Sequence, residues 1–241
     1  MKPITIVKKY EKELKDLYHH SSWDPLSLNG HYGTALKVFE AQTLYSIIKH
    51  KKYRDVLEIG TAEGFSALYM CKALEASKRP VSFDTVDKRP FPQKLARNLL
   101  SDQGVDTSFV NFICEDSKVA IPALNKQYDM CLIDGSHDYS GTKKDLINVI
   151  PKIKKGGCIV LDDIQPTITK DTPYWVWKEV LNGDIFEKKI RTYELGSKLC
   201  DFFSYDYDLN ECENLERKWK RKSWILDETN PKATVGVIFK K

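Results

Sequence analysis

The segment YRDVLEIGTAEG, residues 53–64, decides the fold class. Its first part, Tyr53–Ile59, is a short and mostly apolar run, which is typical of a buried strand. Its second part contains Gly60 and Gly64, and a helical pattern begins directly after it at Phe65. A strand that passes through a glycine-containing turn into a helix begins a βαβ unit, so this segment predicts an α/β protein.

The same alternation of strand and helix patterns continues to residue 163. Further strands are predicted at Val81–Val86, Phe109–Cys114, Tyr128–Ile133 and Cys158–Leu161. Helices are predicted between the strands at Phe65–Leu74, Pro92–Gln103, Ser117–Leu124 and Gly141–Ile150. Because the strands are nearly continuous apolar runs, we expect burial on two sides, in a doubly wound and mostly parallel sheet with helices on both faces.

The two ends of the chain add helices and two more strands. Residues 4–50 look helical, most clearly at Ala35–Ile48, and are interrupted by a loop at Trp23–Gly33. A helix is predicted at Tyr174–Leu181, with strands at Ile185–Leu195 and Thr234–Phe239, which makes seven strands. We therefore interpret residues 1–241 as a single domain. It has an N-terminal helical cap (1–50), a core (53–195 and 233–241) and an insertion before the last strand (196–232).

Composition excludes several classes of protein. The chain has 241 residues, of which 41% are hydrophobic and 30% charged, as in globular proteins with a substantial core. There is no apolar run of about 18 residues and no signal or transit peptide pattern, so we expect a cytoplasmic protein that does not contact membranes. A net charge of +4 is too small to indicate nucleic-acid binding, and none of the six cysteines has the CxxC spacing of a zinc site.

Polar residues follow the predicted strands at the edge where open α/β sheets bind ligands. Gly60 and Gly64 let the backbone turn tightly after the first strand. Asp87 follows the second strand, 23 residues after Gly64, and a carboxylate at about this offset holds a ribose diol in dinucleotide-binding folds. Alone, Asp87 would equally fit a solvated residue that precedes a helix.

Three further polar residues belong to the same edge. Glu58 lies inside the first strand and needs a partner, which is either a structural ion pair or a cationic or amino-bearing ligand. Asp116 and Ser117 follow the third strand, where they could contact a base, although Ser117 could equally be a helix N-cap.

A group of carboxylates follows the fourth and fifth strands. Asp134 lies in IDGSHDY, and Asp162 and Asp163 lie in VLDDI. Three acids at one place repel each other unless a cation neutralises them, and oxygen ligands suit Mg²⁺, Ca²⁺ or Mn²⁺. The alternative is that Asp162 or Asp163 caps the next segment. His137, three residues after Asp134, is a candidate general base, or it packs within its loop.

Together these motifs resemble the class I S-adenosylmethionine-dependent methyltransferases, which have a Rossmann-like sheet. The residues that carry the resemblance are EIGTAEG, Asp87, EDS, LIDGSHDYSGTKKDL and KKGGCIVLDDI, within about residues 53–165. DGSHDY and GGCIVLDD are similar to the metal-dependent small-molecule O-methyltransferases, a group with macrocin-type sugar methyltransferases and catechol O-methyltransferase.

The resemblance implies a role for each site residue. S-adenosylmethionine would contact Glu58, Gly60, Thr61, Ala62, Gly64, Asp87, Asp116, Ser117 and Asp134. In that assignment Glu58 lies beneath the methionine part, Asp87 binds the ribose hydroxyls, and Asp116 and Ser117 lie near the adenine. Mg²⁺ would bind Asp134, Asp162 and Asp163, and catalysis would use His137 with Asp134.

Two positions differ from the catechol enzymes, which have a catalytic lysine where this chain has His137 and Asp-Asn where it has Asp162-Asp163. The sugar-methylating relatives have two acids there, so the pair favours that group. The expected reaction is methyl transfer to a hydroxyl of a small molecule.

Other functions remain open at the level of sequence. A nicotinamide-dependent oxidoreductase lacks support because GxGxxG is absent. The basic run Arg217–Lys222, with Trp219 and Trp224, would suit an RNA-associated methyltransferase or binding protein, but a solvated helix face explains it more simply. The aromatic residues Trp23, Tyr32, Trp175 and Trp177 would line the acceptor pocket, fill the core or form a homo-oligomer interface.

Overall fold

The computed structural model describes residues 9–10, 12–14, 36, 38–165, 167–186, 190–196 and 233–240. Its strands are β1 (Asp55–Ile59), β2 (Ser82–Val86), β3 (Val110–Ile113), β4 (Tyr128–Ile133), β5 (Ile153–Leu161), β6 (Ile190–Gly196) and β7 (Ala233–Lys240). Its α-helices are α1 (Val38–Lys51), α2 (Phe65–Glu75), α3 (Pro90–Asp102), α4 (Ser117–Ala123), α5 (Tyr139–Val149) and α6 (Pro173–Asn182). Short 3₁₀ turns lie at Thr107–Phe109 and Ile150–Lys152.

The seven strands form one sheet in the order β3-β2-β1-β4-β5-β7-β6. Neighbours from β3 to β5 pair in parallel, and β7 runs antiparallel to both β5 and β6. The order reverses between β1 and β4, which is the topological switch point where such sheets bind ligands. The predicted mostly parallel, seven-stranded, Rossmann-like sheet is confirmed.

Helices cover both faces of the sheet, as predicted. On one face, α1 and α2 pack together with α3, and their buried side chains include Leu44, Leu68 and Leu100. On the other face, α4, α5 and α6 contribute residues such as Ile121, Leu146 and Trp177 to a second apolar cluster. The interior strands are therefore buried on two sides, which explains their continuous apolar sequences.

Two strands begin five residues from their predicted starts: β6 begins at Ile190 and not at Ile185, and β5 begins earlier than predicted. The sequence places this strand after Gly156-Gly157, because two glycines are typical of a turn, yet the strand begins at Ile153. The pairing with β4 shifts here: Tyr128 pairs with Ile153, and Met130 pairs with Cys158. A Cβ on Gly157 would lie 2.6 Å from the carbonyl oxygen of Asp129, so this glycine allows an irregular strand to pass close to its neighbour.

Ion pairs hold the amino-terminal edge of the sheet, opposite the predicted ligand edge. Lys154 Nζ donates to Asp55 at 2.5 Å and to Asp129 at 3.0 Å. The second carboxylate oxygen of Asp129 accepts the backbone N–H groups of Arg54 and Asp55. These contacts fix β5 against β1 and β4 at the place where β5 is irregular.

The buried Asp84 organises a second polar group near that edge. Its carboxylate accepts hydrogen bonds from the Tyr128 hydroxyl, Lys126 Nζ and the Asn111 amide, at 2.8, 2.8 and 3.0 Å. A buried carboxylate with three donors is satisfied. Asp84 is therefore a structural acid, which separates it from the acids of the ligand edge.

Trp177 and Gly236 make a close contact between α6 and the last strand. Trp177 is completely buried, so of the three roles left open for it, pocket lining, core residue and oligomer interface, the structure supports the core residue. A Cβ on Gly236 would lie 2.5–2.7 Å from three atoms of the indole six-membered ring. The absence of a side chain at Gly236 is what lets the ring lie flat against β7.

Several predictions fall outside the described residues. These are the loop at Trp23–Gly33, the side chains of Trp23 and Tyr32, the basic run 217–222 and almost all of the insertion 196–232. The division into cap, core and insertion also stays a prediction. None of the helices in the described part of the chain is both long enough and apolar enough to cross a membrane.

Gly236→Ala should lower the free energy of unfolding by about 1–3 kcal/mol, because the added methyl group must displace a packed ring. Urea denaturation would measure the change. Trp177→Phe removes the ring atoms that this methyl group would meet. The double variant should therefore lose less stability than the two single variants lose in sum, and strictly additive losses would contradict the assigned contact.

Candidate active site

Five parallel strands end at the same level and create the edge where the candidate site lies, with Ile113 of β3 in register with Val86 of β2. Ile59 of β1 is in register with both Val86 of β2 and Ile133 of β4, and Ile133 is in register with Leu161 of β5. The residues that follow these strand ends are thereby brought side by side.

Backbone hydrogen bonds continue one residue beyond the strands. The N–H groups of Gly60, Asp87, Asp134 and Asp162 each donate to the last carbonyl of the adjacent strand, at 2.8–3.1 Å. Four of the predicted site residues are therefore held by the sheet itself rather than by loops. This gives the candidate site a rigid base.

The glycine-containing turn after β1 depends on left-handed residues. Gly60 has φ 97° and Gly64 has φ 91°, and Ala62 between them has φ 41°. A Cβ on Gly60 would lie 2.0 Å from the carbonyl oxygen of Asp134, and one on Gly64 would lie 2.7 Å from the Ala96 side chain. From sequence, Gly60 and Gly64 are expected to let the backbone approach a ligand. In the structure, the missing side chains let this turn pack closely against Asp134 and Ala96.

Asp87 is buried at the end of β2, so the alternative of a solvated residue is wrong. One carboxylate oxygen accepts the Arg89 backbone N–H at 2.9 Å, and the other accepts the Ala62 backbone N–H at 3.1 Å. Arg89 Nε and Nη2 also donate to this carboxylate, at 3.3 and 3.4 Å. Asp87 thus links the turn after β1 to the start of α3.

Glu58 is completely buried and is bound by hydroxyl groups. Ser66 donates to one carboxylate oxygen, and Thr85, its partner in register on β2, donates to the other at 2.5 Å. Thr61 lies 2.6 Å from the Thr85 hydroxyl and continues this network. In the described part of the chain no cation pairs with Glu58, so the structural ion pair considered from sequence is not what satisfies it.

The ionisation of Glu58 is set by this environment. Burial raises its pKa to about 7, although the hydrogen bonds from Ser66 and Thr85 act in the opposite direction. A carboxyl group that is half protonated near neutral pH can either accept or donate a hydrogen bond. Both of its oxygens already have hydroxyl partners, which distinguishes Glu58 from the acids that follow the strand ends.

The residues after β3 have distinct roles. Asp116, not Ser117, is the N-cap of α4, and its side chain accepts the Lys118 N–H at 2.8 Å. The Ser117 hydroxyl donates to the buried Asp145 of α5 at 2.7 Å. Ser117 therefore connects the third strand end to the helix that follows Asp134.

The loop DGSHDYSG, residues 134–141, is held by its own polar groups. Asp138 is the N-cap of α5 and accepts the Gly141 N–H at 2.7 Å, and the Tyr139 N–H donates to Asp171 at 3.0 Å. A Cβ on Gly141 would lie 2.2 Å from the Ser136 hydroxyl oxygen, so glycine is required where the loop folds back. These contacts fix the loop that carries His137.

Two of the three predicted carboxylates, Asp134 and Asp163, come together at this edge with His137, and Asp162 is not among the grouped ligand residues. Asp134, His137 and Asp163 offer ligand atoms that all lie within 4.8 Å of one another. Asp163 has φ 58°, a left-handed conformation that aspartate and asparagine tolerate better than most residues. Asp162 lies beside this group, and one of its carboxylate oxygens is buried without a hydrogen bond from the described residues.

Burial, followed by charge repulsion, raises the pKa of two of these acids. Burial, and then the charges of Asp163 and Glu40, raise the pKa of Asp134 well above its ordinary range. Burial, and then Glu40 and Asp134, do the same to the pKa of Asp162. A cation at this place would relieve the repulsion, so the residues present fit a divalent metal with oxygen ligands.

Glu40 is a buried acid of the site that the sequence did not reveal. It lies in the first turn of α1, and its charge reaches both Asp134 and Asp162. The helical pattern of α1 only indicates which face is buried. The position of Glu40 beside the strand ends follows from the packing of α1.

His137 pairs with Asp163 through its Nδ1 atom, 2.5 Å from a carboxylate oxygen. This hydrogen bond raises the pKa of His137, against the effect of partial burial. The imidazole is more than half exposed, so it faces the solvent side of the carboxylate group. Two roles were considered for His137, a general base and a residue that packs within its loop. The geometry is compatible with both, because the imidazole is exposed and is also hydrogen-bonded to Asp163.

Comparison with known proteins identifies the domain. Residues 57–164 match the family model of a methyltransferase domain. These residues are a class I, S-adenosylmethionine-dependent methyltransferase domain. The recognition made from EIGTAEG, DGSHDY and VLDDI is confirmed, and so is the assignment of the domain to this class of enzyme.

Relatives share less of the chain. A 95-residue stretch, 39% of this chain, is 32% identical to the transmembrane O-methyltransferase of Propithecus coquereli, of which it covers 34%. The chain thus spans about a third of the length of this curated relative.

Solved structures show the likeness of fold. The O-methyltransferase TomG from Streptomyces achromogenes, determined with S-adenosylmethionine, has a TM-score of 0.63 at 14% identity, with 95% of this chain and 90% of TomG covered. An O-methyltransferase from Bacillus cereus, determined with S-adenosylhomocysteine, has a TM-score of 0.61 at 13% identity and the same coverage.

Glu58→Gln should change stability in a pH-dependent way. The pKa of Glu58 is about 7 in the folded protein, against an ordinary value of 4.5. Ionisation in the unfolded chain therefore lowers the wild-type free energy of unfolding as pH rises from 4.5 to about 7, by about 3 kcal/mol. The glutamine variant lacks this loss, so its stability relative to wild type should increase with pH over that window.

Urea denaturation of both proteins from pH 4.5 to 8 would measure the difference. The control is Glu63→Gln, the same substitution in the same turn at a partly exposed carboxylate. An offset between Glu58→Gln and wild type that does not vary with pH would contradict the assigned ionisation.

Proposed function

We propose that the protein transfers a methyl group from S-adenosylmethionine to a hydroxyl of a small molecule, a sugar or a catechol-like phenol, with assistance from Mg²⁺. One observation carries the proposal. Asp87 and the group Asp134, His137 and Asp163 follow strands of the same parallel sheet and lie at one edge. This arrangement supports the proposal, in which Asp87 would bind the ribose and the acid group would bind the cation.

The comparisons support the reaction class. The sequence relative is an O-methyltransferase by name, and the solved neighbours contain S-adenosylmethionine or S-adenosylhomocysteine. We extend the cofactor and the hydroxyl acceptor to this protein on that basis, together with the motif resemblance.

On the cofactor side, the chain would bind and orient the nucleoside. S-adenosylmethionine brings a methyl group that its sulfonium already activates, so alignment is the main task of the protein. Asp87 would accept the ribose hydroxyls. The Ser117 hydroxyl is already committed to Asp145, so Asp116 and the backbone at the start of α4 are left to contact the adenine.

On the acceptor side, the acids would hold the cation. The buried oxygen of Asp162 has no hydrogen-bond partner among the described residues, and a metal ligand position would satisfy it. When bound, Mg²⁺ lowers the pKa of a coordinated hydroxyl and orients neighbouring hydroxyl groups. The pair Asp162-Asp163, in place of Asp-Asn, favours a sugar over a catechol as the acceptor.

His137 would receive the proton of the acceptor hydroxyl. Its Nδ1 is held by Asp163, which fixes the ring and leaves Nε2 as the second nitrogen for proton transfer. The raised pKa of His137 makes it a better base for a hydroxyl than an unpaired imidazole.

The cation site predicts a contrast between two aspartates. Asp162→Asn should weaken Mg²⁺ binding at least tenfold, because it removes a charged oxygen ligand, and isothermal titration calorimetry would measure the loss. Asp138→Asn is the matched control: it makes the same substitution four residues after Asp134 at a helix N-cap, where asparagine serves equally well. Equal Mg²⁺ binding by both variants would contradict the site.

The proposal also predicts different turnover rates for variants of Asp134 and His137. With a panel of sugars and catechols, wild type should form S-adenosylhomocysteine. Asp134→Ala should abolish turnover, because it removes a ligand that no other group replaces. His137→Ala should slow turnover by about 10²–10⁴-fold, the usual contribution of a general base.

Chromatographic measurement of S-adenosylhomocysteine would give both rates. Equal residual activity in Asp134→Ala and His137→Ala would contradict the role of the metal. A wild-type protein that neither forms nor binds S-adenosylhomocysteine would contradict the proposed function as a whole.

A further inference from the structure

The carboxylate of Asp87 has no free acceptor position. One oxygen accepts the backbone N–H and the Nε of Arg89, and the other accepts the Ala62 N–H and Arg89 Nη2. An ionised carboxylate has about four lone-pair sites, and these four donors fill them. A ribose diol, which would donate two hydrogen bonds, therefore cannot bind until two of the present donors leave.

The guanidinium of Arg89 is the group able to leave. The two backbone donors belong to the turn after β1 and to the start of α3, and they cannot move without disturbing both. The two contacts of the guanidinium are the longest of the four, at 3.3 and 3.4 Å, and the Arg89 side chain is 59% exposed. The backbone donors alone would keep the carboxylate in place.

Arg89 is also an unfavourable residue at its position in the helix. It is the N-cap of α3, where aspartate, asparagine, serine or threonine would satisfy a backbone N–H, and its side chain makes no capping hydrogen bond. A positive charge at a helix N-terminus also opposes the helix dipole. Neither propensity nor capping explains this arginine, whereas its ion pair with Asp87 does.

We propose that Arg89 occupies the ribose position of Asp87 in the cofactor-free protein and is displaced when the cofactor binds. This inference rests on the proposed function, in which Asp87 is the ribose ligand. The guanidinium neutralises a buried carboxylate that would otherwise be paired only by backbone groups. Cofactor binding is then an exchange of two guanidinium hydrogen bonds for two ribose hydroxyl bonds, and Arg89 lowers the affinity for the nucleoside.

A double-mutant cycle tests the exchange. Arg89→Met keeps most of the apolar stem and removes the guanidinium. Calorimetric titration with S-adenosylhomocysteine should show binding about two- to fivefold tighter than in wild type, the range for an ion pair that no longer has to be broken. In the background Asp87→Asn, which itself binds more weakly, Arg89→Met should give no gain, since the pair is already lost.

Two controls separate this mechanism from general effects. Lys88→Met makes the same charge change one residue away at an exposed position, and it should leave the affinity unchanged. Adenosine should show the same gain in Arg89→Met, whereas 2′,3′-dideoxyadenosine, which lacks the diol, should not. This second readout does not depend on the Asp87 variants folding well.

The outcomes distinguish failure of the proposed function from failure of the inference about Arg89. If wild type does not bind S-adenosylhomocysteine, both the proposed function and this inference fail. If wild type binds and Arg89→Met binds equally or more weakly, the inference alone fails, and Arg89 then assists the cofactor or does not meet it. A gain that persists with Asp87→Asn or with the dideoxynucleoside would also overturn it.

Discussion

The candidate site depends on one constraint: five parallel strands end at the same level. In a parallel sheet all carboxyl ends point to the same edge, and here β1 to β5 end in register. The hydrogen-bond ladder then continues for one more residue, so Gly60, Asp87, Asp134 and Asp162 are fixed by backbone pairing. Residues that lie far apart in the sequence become neighbours without any loop having to position them. A register slip in one strand would remove its residue from the site.

Much of this arrangement could be predicted from the sequence, because it follows from buried strands and the residues that end them. The run Tyr128–Ile133 has the same bounds in the structure as in the prediction, and Asp134 follows it directly. What the sequence could not supply was packing between distant elements. Gly156 and Gly157 look like a turn, although they allow β5 to begin irregularly at Ile153 against β4.

Packing between distant elements also explains why sequence analysis did not find some residues of the site. Glu40 lies on a helix whose pattern shows burial but not its neighbours, and Thr85 becomes a partner of Glu58 only through the pairing of β1 with β2. Arg89 breaks a local rule of helix capping, which is a signal that sequence reasoning can use. Its partner, however, depends on the burial of Asp87.

Four acids of this edge differ in how their carboxylates are paired, and the differences indicate what each can bind. Glu58 is bound by protein hydroxyls that have no charge, so it needs no ligand to remain in place. Asp87 and Asp163 are paired with Arg89 and His137, side chains that are both more than half exposed. Asp162 keeps a buried oxygen without a hydrogen bond from the described residues. A buried charge must be compensated. Compensation by an exposed side chain is reversible, because the side chain can return to water when a ligand replaces it. Asp87, whose Arg89 partner is exposed, is therefore suited to exchange, and the unpaired oxygen of Asp162 is suited to a cation that the described residues do not supply.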